Sequence, residues 1–351
     1  MKVATDLSVT SVLGRGMHGP AMAWGTPWAA PLSGTLPALV MDFQAARYGI
    51  AGSPLDLDDV LAFQRASAAT HFDASGNFVS AAADVPRLSF DPVTQAPEGL
   101  LLEPGTANLI AGSDAPAGQT IAVTAEPHVL SFFGTGDVDM FGAQMETVIG
   151  DGAFPQRRVL KFTPAAGDLE LTFIGDVTRA QLEVGETATS YVSGSRADDL
   201  ASAGLAGWFN NVAGTVVFGG QVLGAANNDR IVEIDNGSSG SRVSILWNTV
   251  LEKPQLQVWD AGVLQAAIAP SGNAIGLGQD CRVAIAYGPN DFAISVNGSP
   301  VVGDTAGTVP GGLIALRLGR ALSGAQGAIL TERLVYFASR LSDTELQELS
   351  T

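Results

Sequence analysis

The stretch Leu169–Gly175 reads LELTFIG, alternating apolar and polar side chains up to a closing glycine. Successive strand residues point to opposite faces, so Leu169, Leu171 and Phe173 share one face and Glu170 and Thr172 the other. That is the pattern of a strand buried on one side, as in an antiparallel sandwich. Working outward, TIAVTAE (120–126), HVLSFFG (128–134), DVDMFG (137–142) and RRVLKFT (157–163) are also strand-like, separated by Gly, Pro and Asp clusters.

The polar run SRADDLASAGL (195–205) marks a boundary near residue 200, after which a second series begins. It reads GTVVFGGQV, RIVEIDN, SRVSILWN, PQLQVWD, CRVAIAYG, DFAISVNG, LIALRLG and ERLVYFA. Asn297-Gly298 within it is a strong hairpin signal. Strands at this spacing predict two packed sheets or a jelly roll. Helix is expected at LSDTELQELS (341–350), where Ser342 and Glu345 form a capping box and Leu346 and Leu349 can pack back on the sandwich, closing one edge. A shorter one is expected in SPLDLDDVLAF, capped by Ser53 or Asp56 and ending near Phe63.

Composition agrees with an all-β chain: 46% of residues are apolar, 15% charged, and 42 Gly and 18 Pro supply turns. The 18 Lys plus Arg against 35 Asp plus Glu leave a net charge of −17, a field that repels phosphates and anionic membrane surfaces. Nucleic acid is therefore not an expected partner. Neither is membrane insertion, because no apolar run reaches about 18 residues. MKVATDLSVTSV lacks an apolar export core, so assembly in a cytoplasm is expected. The single cysteine, Cys281, excludes an intramolecular disulfide and reads as a buried, inert thiol.

No phosphate loop, dinucleotide fingerprint, zinc-protease motif, nucleophile elbow or EF-hand is present. His18, His71 and His128 are not spaced as metal ligands. Asp137 with Asp139, and Asp229 with Glu233 and Asp235, are the densest carboxylate groups near strands. They read either as a hydrolytic pair or as solvated strand charge. NNDR (227–230) and DNGSSGS (235–241) are oxygen-rich enough for a structural calcium ion, but otherwise no cofactor is expected. Glycan binding has firmer ground, since it needs an exposed aromatic ring with amides and carboxylates beside it. In PQLQVWD, Trp259 falls with Gln255 and Gln257 on the polar face, opposite Leu256 and Val258, while Trp247 shares the apolar face of Val243 and Ile245. Trp259, Gln255, Gln257, Asn228 and Asp229 are the candidate glycan contacts; for Trp259 a subunit contact is equally open, and cover by a neighbouring loop or the N-terminal arm is the alternative.

The run Leu61–Ile110, LAFQRASAATHFDASGNFVSAAADVPRLSFDPVTQAPEGLLLEPGTANLI, resembles a stretch of phage, prophage or gene-transfer-agent fibre and head-spike proteins. Its anchors include Phe63, Arg65, Ala66, Ser67, Asp73, Gly76, Arg87, Asp91, Pro92, Thr94, Glu103 and Asn108. AQLEVGETATSYV (180–192) is similar to the close of a jelly-roll, carbohydrate-binding-like domain, and the segment from VAIAYGPNDFAISVNG to LSDTELQEL to a concanavalin/laminin-G-like sandwich. The resemblance implies a virion-surface structural protein, usually a homotrimer, joined to capsid, portal or tail through its N-terminus and touching host surface polysaccharide. It carries over no catalytic residue. A purely structural decoration protein and a depolymerase spike are the alternatives.

The expected organisation is an attachment arm over 1–54 containing Trp24 and Trp28, an assembly segment over 55–111, a jelly roll over 112–200 and a sandwich over 201–351. In the assembly segment, Phe63, Arg65, Phe72, Asp73, Arg87, Phe90, Asp91, Glu103 and Asn108 are the candidate residues. Phe63, Phe72, Phe78, Phe90 and Leu100–Leu102 are expected to be buried in part by other copies of the chain.

Overall fold

The computed structural model describes residues 34–351. Among them the chain is all-β, with two short helices, Leu57–Val60 and Asp343–Leu349. Trp24, Trp28 and His18 lie outside the described residues.

The first sandwich packs two antiparallel sheets. One orders Gln119–Val123, Gly167–Ile174, Asp137–Gly142 and Glu146–Ile149, and the other Gly152–Phe162, His128–Gly134 and Thr178–Val184. Leu169 and Leu171 are buried and Phe173 packs behind them, while Glu170 and Thr172 face out. Val138, Met140, Leu130, Phe132, Ala180 and Leu182 complete a core closed to water.

The second sandwich is larger. Its seven-stranded sheet runs Val263–Ile268, Lys253–Asp260, Arg242–Asn248, Arg230–Asp235, Ala315–Leu318, Leu200–Gly204 and Ala62–Gln64. The facing sheet is ten-stranded among the described residues and is built around Gly214–Gly224 and Ala328–Phe337. Trp247 points into the core between them, and Cys281 is fully buried, its thiol pushed up to about 12 by burial and the neighbouring Asp280. Asn297 and Gly298 both adopt left-handed backbone (φ 46° and 70°), as the tight turn after Asp291–Val296 requires. The C-terminal helix carries the Ser342–Glu345 capping box. It covers the outer face of the ten-stranded sheet, not an edge: Leu346 and Leu349 pack on Val217, Ala284, Ala286 and Val335.

The segment boundaries differ from those read in the sequence. Leu39–Asp42 and Arg47–Ile50, assigned to the arm, and Ser53–Leu55, at its end, are strands of the second sandwich, with Leu39–Asp42 paired to Arg333–Tyr336. The assembly segment is likewise divided between sheets: Ala62–Gln64 extends the seven-stranded sheet, whereas Arg87–Phe90 and Pro97–Leu102 join the ten-stranded one. Ala328–Phe337 is ten residues long, and one of its edges takes two partners end to end, Leu39–Asp42 and Leu100–Leu102. A bare edge of that length would offer unpaired N–H and C=O groups to another chain, and N-terminal residues supply the pairing instead. Asp56, not Ser53, precedes the first helix, which ends at Val60 so that Phe63 lies in a strand.

Leu100, Leu101 and Leu102 are buried in this chain's own second-sandwich core region, 0, 8 and 0% exposed. The expectation that other copies bury them is therefore corrected: one chain suffices. Phe63 packs on that same core, and Phe72 and Phe78 meet Phe154 of the first sandwich. Phe90 is half-buried beside a register shift after Ser89.

The two sandwiches meet tightly at Gly224. A β-carbon there would overlap the Oγ1, Cγ2 and Cβ atoms of Thr187, which belongs to the other sandwich's closing segment. Gly224→Ala is expected to lose about 1–3 kcal/mol in urea unfolding, the usual cost of overpacking. A loss below about 0.5 kcal/mol would mean Thr187 moves aside at no cost.

Candidate functional site

Two arrangements gather several of the residues singled out by sequence. One is an ion cluster inside the joint between the sandwiches. Arg87 donates to Glu103 Oε2 through Nη1 at 2.7 Å and to Asp199 Oδ2 through Nη2 at 2.5 Å. Arg65 meets the other oxygen of Asp199 at 3.1 Å, and Arg196 lies 3.2 Å from Glu103. All five side chains are 3% exposed or less. Ser190 closes the cluster from the first sandwich: its N–H and hydroxyl donate to Glu103 Oε1 and Oε2 at 2.7 and 2.6 Å.

Burying such charges is costly, and only dense pairing and hydrogen bonding offset it. That balance decides where each group ionises. Burial alone would raise the Glu103 carboxyl, but Arg196, Arg87 and Ser190 hold it at about 2. Burial lowers Arg87, yet Glu103 and Asp199 outweigh it and leave the guanidinium raised. Arg65 goes the other way, lowered chiefly by burial.

Asn108 satisfies four bonds at the start of the first sandwich, donating to Ala180 and Val192 carbonyls at 3.0 and 2.9 Å and accepting from Ile110 and Leu182 N–H groups at 3.1 Å. Asp73 and Asp91 have a different task. Asp73 Oδ1 accepts from Ser75 and Asn77 N–H, and Asp91 Oδ1 from Val93 and Thr94 N–H, bonds that lower both carboxyls. The two turns abut at Gly76 (φ 74°), where a β-carbon would sit 2.6 Å from the Pro92 carbonyl oxygen. The quoted stretch thus provides two turns and a set of buried charges. Its partners Asp199, Arg196 and Ser190 were missed in the sequence because a lone polar residue in SYVSGSRADD reads as loop; the odd density of Arg and Asp there was the available signal.

The other arrangement is the outer face of the seven-stranded sheet. Trp259, Gln257 and Gln255 line up on it and are half-buried. Trp259 Nε1 donates to Gln257 Oε1 at 3.3 Å, and Gln255 Oε1 accepts from Asn248 Nδ2 at 3.1 Å. On the next strand Arg242 stacks over the indole, 5.0 Å from guanidinium carbon to ring centroid, and Leu264 pairs opposite on the other side. Glu233 and Asp235 share this face but are buried: Glu233 meets Arg230 at 2.8 Å and Asp235 meets Arg317 at 2.6 Å. They are neither solvated nor available to a substrate, because Arg230 of their own strand and Arg242 and Arg317 of its neighbours pair with them, and the Leu322 N–H donates to Glu233.

Asn228 and Asp229 do not join Trp259. Asn228 N–H bonds the Trp247 carbonyl, and Trp247 pairs with Pro254, five residues or about 17 Å along the strand from Trp259. Asp229 accepts from the Ala226 N–H at 2.7 Å and lines a cleft of about 300 Å³ between the sandwiches, with Glu183, Glu186, Gly224 and Gln326; burial raises its carboxyl. No group of three metal-ligating His, Cys, Asp or Glu side chains occurs among the described residues. In the calcium-candidate loops, Asp229 and Asp235 spend oxygens on the N–H groups of their own turns. Asp139 accepts from Thr147 across its sheet at 2.6 Å, His128 Nδ1 lies 2.7 Å from the Glu126 carbonyl, and His71 is lowered by burial and by Arg87.

No family model and no curated protein matches the chain. Among solved structures it is similar to the NanB sialidase from Streptococcus pneumoniae, at 16% identity over 42% of this chain and 26% of that one, with a TM-score of 0.36. Ruminococcus gnavus IT-sialidase CBM40 bound to α2,3 sialyllactose is 14% identical over 40% of this chain and 83% of that one, TM-score 0.35. Trypanosoma rangeli sialidase is 13% identical over 43% and 25%, TM-score 0.34. The likeness spans about a quarter of each sialidase and less than half of this chain, and no residue role is carried over from it.

Proposed function

We propose that this chain is a non-enzymatic adhesive subunit, a fibre or head spike of a phage-like particle, that touches host surface glycan through the outer face of its seven-stranded sheet. The observation that carries the glycan part is the Trp259 platform. An indole fixed by Arg242 and Gln257, with Gln255 on the same face, offers an apolar ring surface and amide groups for hydroxyls. The particle part rests on the Leu61–Ile110 stretch, whose anchors Arg87 and Glu103 bond Ser190 of the first sandwich and so tie it to the second. A rigid body of this kind suits repeated display, in which a homotrimer raises avidity with no new contact.

The test is a glycan array, followed by calorimetry on the full chain. Binding of at least one host-type polysaccharide is expected, with affinity falling at least tenfold in Trp259→Ala. An array with no binder, or a variant that binds as well as the parent, would remove the glycan reading. Light scattering that finds only monomers would remove the trimer. One observation favours hydrolysis as a second reading: Asp229, raised by burial, shares a cleft with Glu183 and Glu186. Glu183 already accepts from Thr106, Thr189 and Gln181. Polysaccharide incubated with the protein is therefore expected to keep its chain length, and shortening would establish the hydrolytic reading instead.

A further inference from the structure

Arg179 occupies an unusual position in the first sandwich. The register between His128–Gly134 and Thr178–Val184 pairs Ser131 with Gln181 and Phe133 with Thr178, so Arg179 and Ala180 together oppose Phe132. That is a β-bulge, a device that re-aims a side chain. Within it Arg179 adopts left-handed backbone (φ 47°), a conformation that disfavours any residue with a β-carbon. Its guanidinium lies over two rings, 5.1 Å from the centroids of both Phe78 and Phe154, and Phe154 is 42% exposed.

This group borders a cleft of about 310 Å³ between the first sandwich and the Ala69–Phe72/Phe78–Ala81 hairpin, lined also by Asp114, Ser80, Ser193 and Tyr191. Most other arginines of the described residues are paired to carboxylates, several in the buried clusters. Among the described residues Arg179 has no carboxylate within 4 Å, and its fork makes no hydrogen bond. Nearby, Tyr191 Oη donates to Asp114 Oδ1 at 2.9 Å and contacts Ser113 Oγ at 2.8 Å, which fixes that wall. A guanidinium stacked on aromatic faces with its N–H edge open is built for a planar anion, and the hydroxyls of Ser80 and Ser193 with the second oxygen of Asp114 suit a ligand that also carries hydroxyls.

We infer that this cleft is a second glycan subsite, one that takes a carboxylate-bearing sugar with Arg179 as its anion-binding group. The inference rests on the proposal that the chain binds glycan, and it adds a ligand class and a site remote from Trp259. The net charge of −17 does not oppose it, because at physiological salt charges beyond about 8 Å are screened and the local cation dominates.

Calorimetric titration of the full chain with glucuronate and oligogalacturonate, using glucose and maltotriose as neutral controls, tests it. Uronate binding is expected, weakening as salt rises. Arg179→Gly should lower uronate affinity at least tenfold while the melting temperature holds or rises, since glycine relieves the left-handed strain. Arg179→Lys, which keeps the charge and loses the fork, should fall between the two. Uronate affinity unchanged in Arg179→Gly overturns the subsite. Neutral sugars that bind in a Trp259-dependent way, with no uronate binding, overturn the subsite and leave the proposed function standing. No binding of any saccharide overturns both.

Discussion

Arg87→Met is expected to lose about 3–5 kcal/mol of unfolding free energy, the cost of stripping one partner from a buried ion network. Arg87 contacts both carboxylates of the cluster, so its removal leaves Glu103 with Arg196 and Asp199 with Arg65, each short of a donor in a site closed to water. The Thr70 carbonyl and Ser190 hydroxyl lose bonds of 3.1 and 2.7 Å as well. The cluster joins two bodies that each have their own apolar core, so the variant should also lose cooperativity. Urea unfolding is expected to broaden or split into two transitions. Arg158→Met is the control. Its pair with Asp151 is 37% and 44% exposed, so its loss should stay below about 1 kcal/mol. Equal effects in the two variants would show that the cluster is not what joins the sandwiches.

The legible parts of the fold were those where alternation meets burial on one face. LELTFIG, HVLSFFG and DVDMFG all form strands where the pattern places them. Failures cluster where pairing is set by distant chain. Nothing local to Leu39–Asp42 says that it will lie beside Arg333–Tyr336, and its all-buried tetrapeptide has no alternation to read. Val263–Ile268 went unread because Ala266 and Ala267 blur the apolar contrast between its faces. The same limit governs the site. Trp259 and Gln257 could be placed on one face because they lie two residues apart on one strand. Asp229 could not be separated from them by inspection, since its distance from Trp259 depends on how Arg242–Asn248 pairs with Lys253–Asp260. Arg179 carried no signal at all: a bulge exists only in the register of two strands, and a left-handed arginine looks in sequence like any other.

Acid should weaken the joint through Glu103. Its carboxyl titrates at about 2 in the folded chain against 4.5 for the unperturbed group, so the unfolded state binds the proton first. A depressed carboxyl contributes stability that is fully present above about pH 4.5 and is lost as pH falls toward 2. At about 1.4 kcal/mol per pKa unit, the loss over that window is about 3 kcal/mol from this one group. Total stability against pH would mix in others of opposite sign, since Glu98, Asp229 and Glu332 are all raised by burial and favour the folded chain when protonated. The comparison that isolates Glu103 is the wild type against Glu103→Gln. The glutamine is isosteric but neutral, so it forfeits the attraction of Arg196 and Arg87 at every pH, whereas the wild type forfeits it only in acid. The stability gap between the two should therefore be widest at pH 6 and shrink by about 3 kcal/mol by pH 2.5. A gap that stays constant across the range would mean that Glu103 takes up its proton at the same pH in the folded and unfolded chains, so that Arg196 and Arg87 do not hold its carboxyl down.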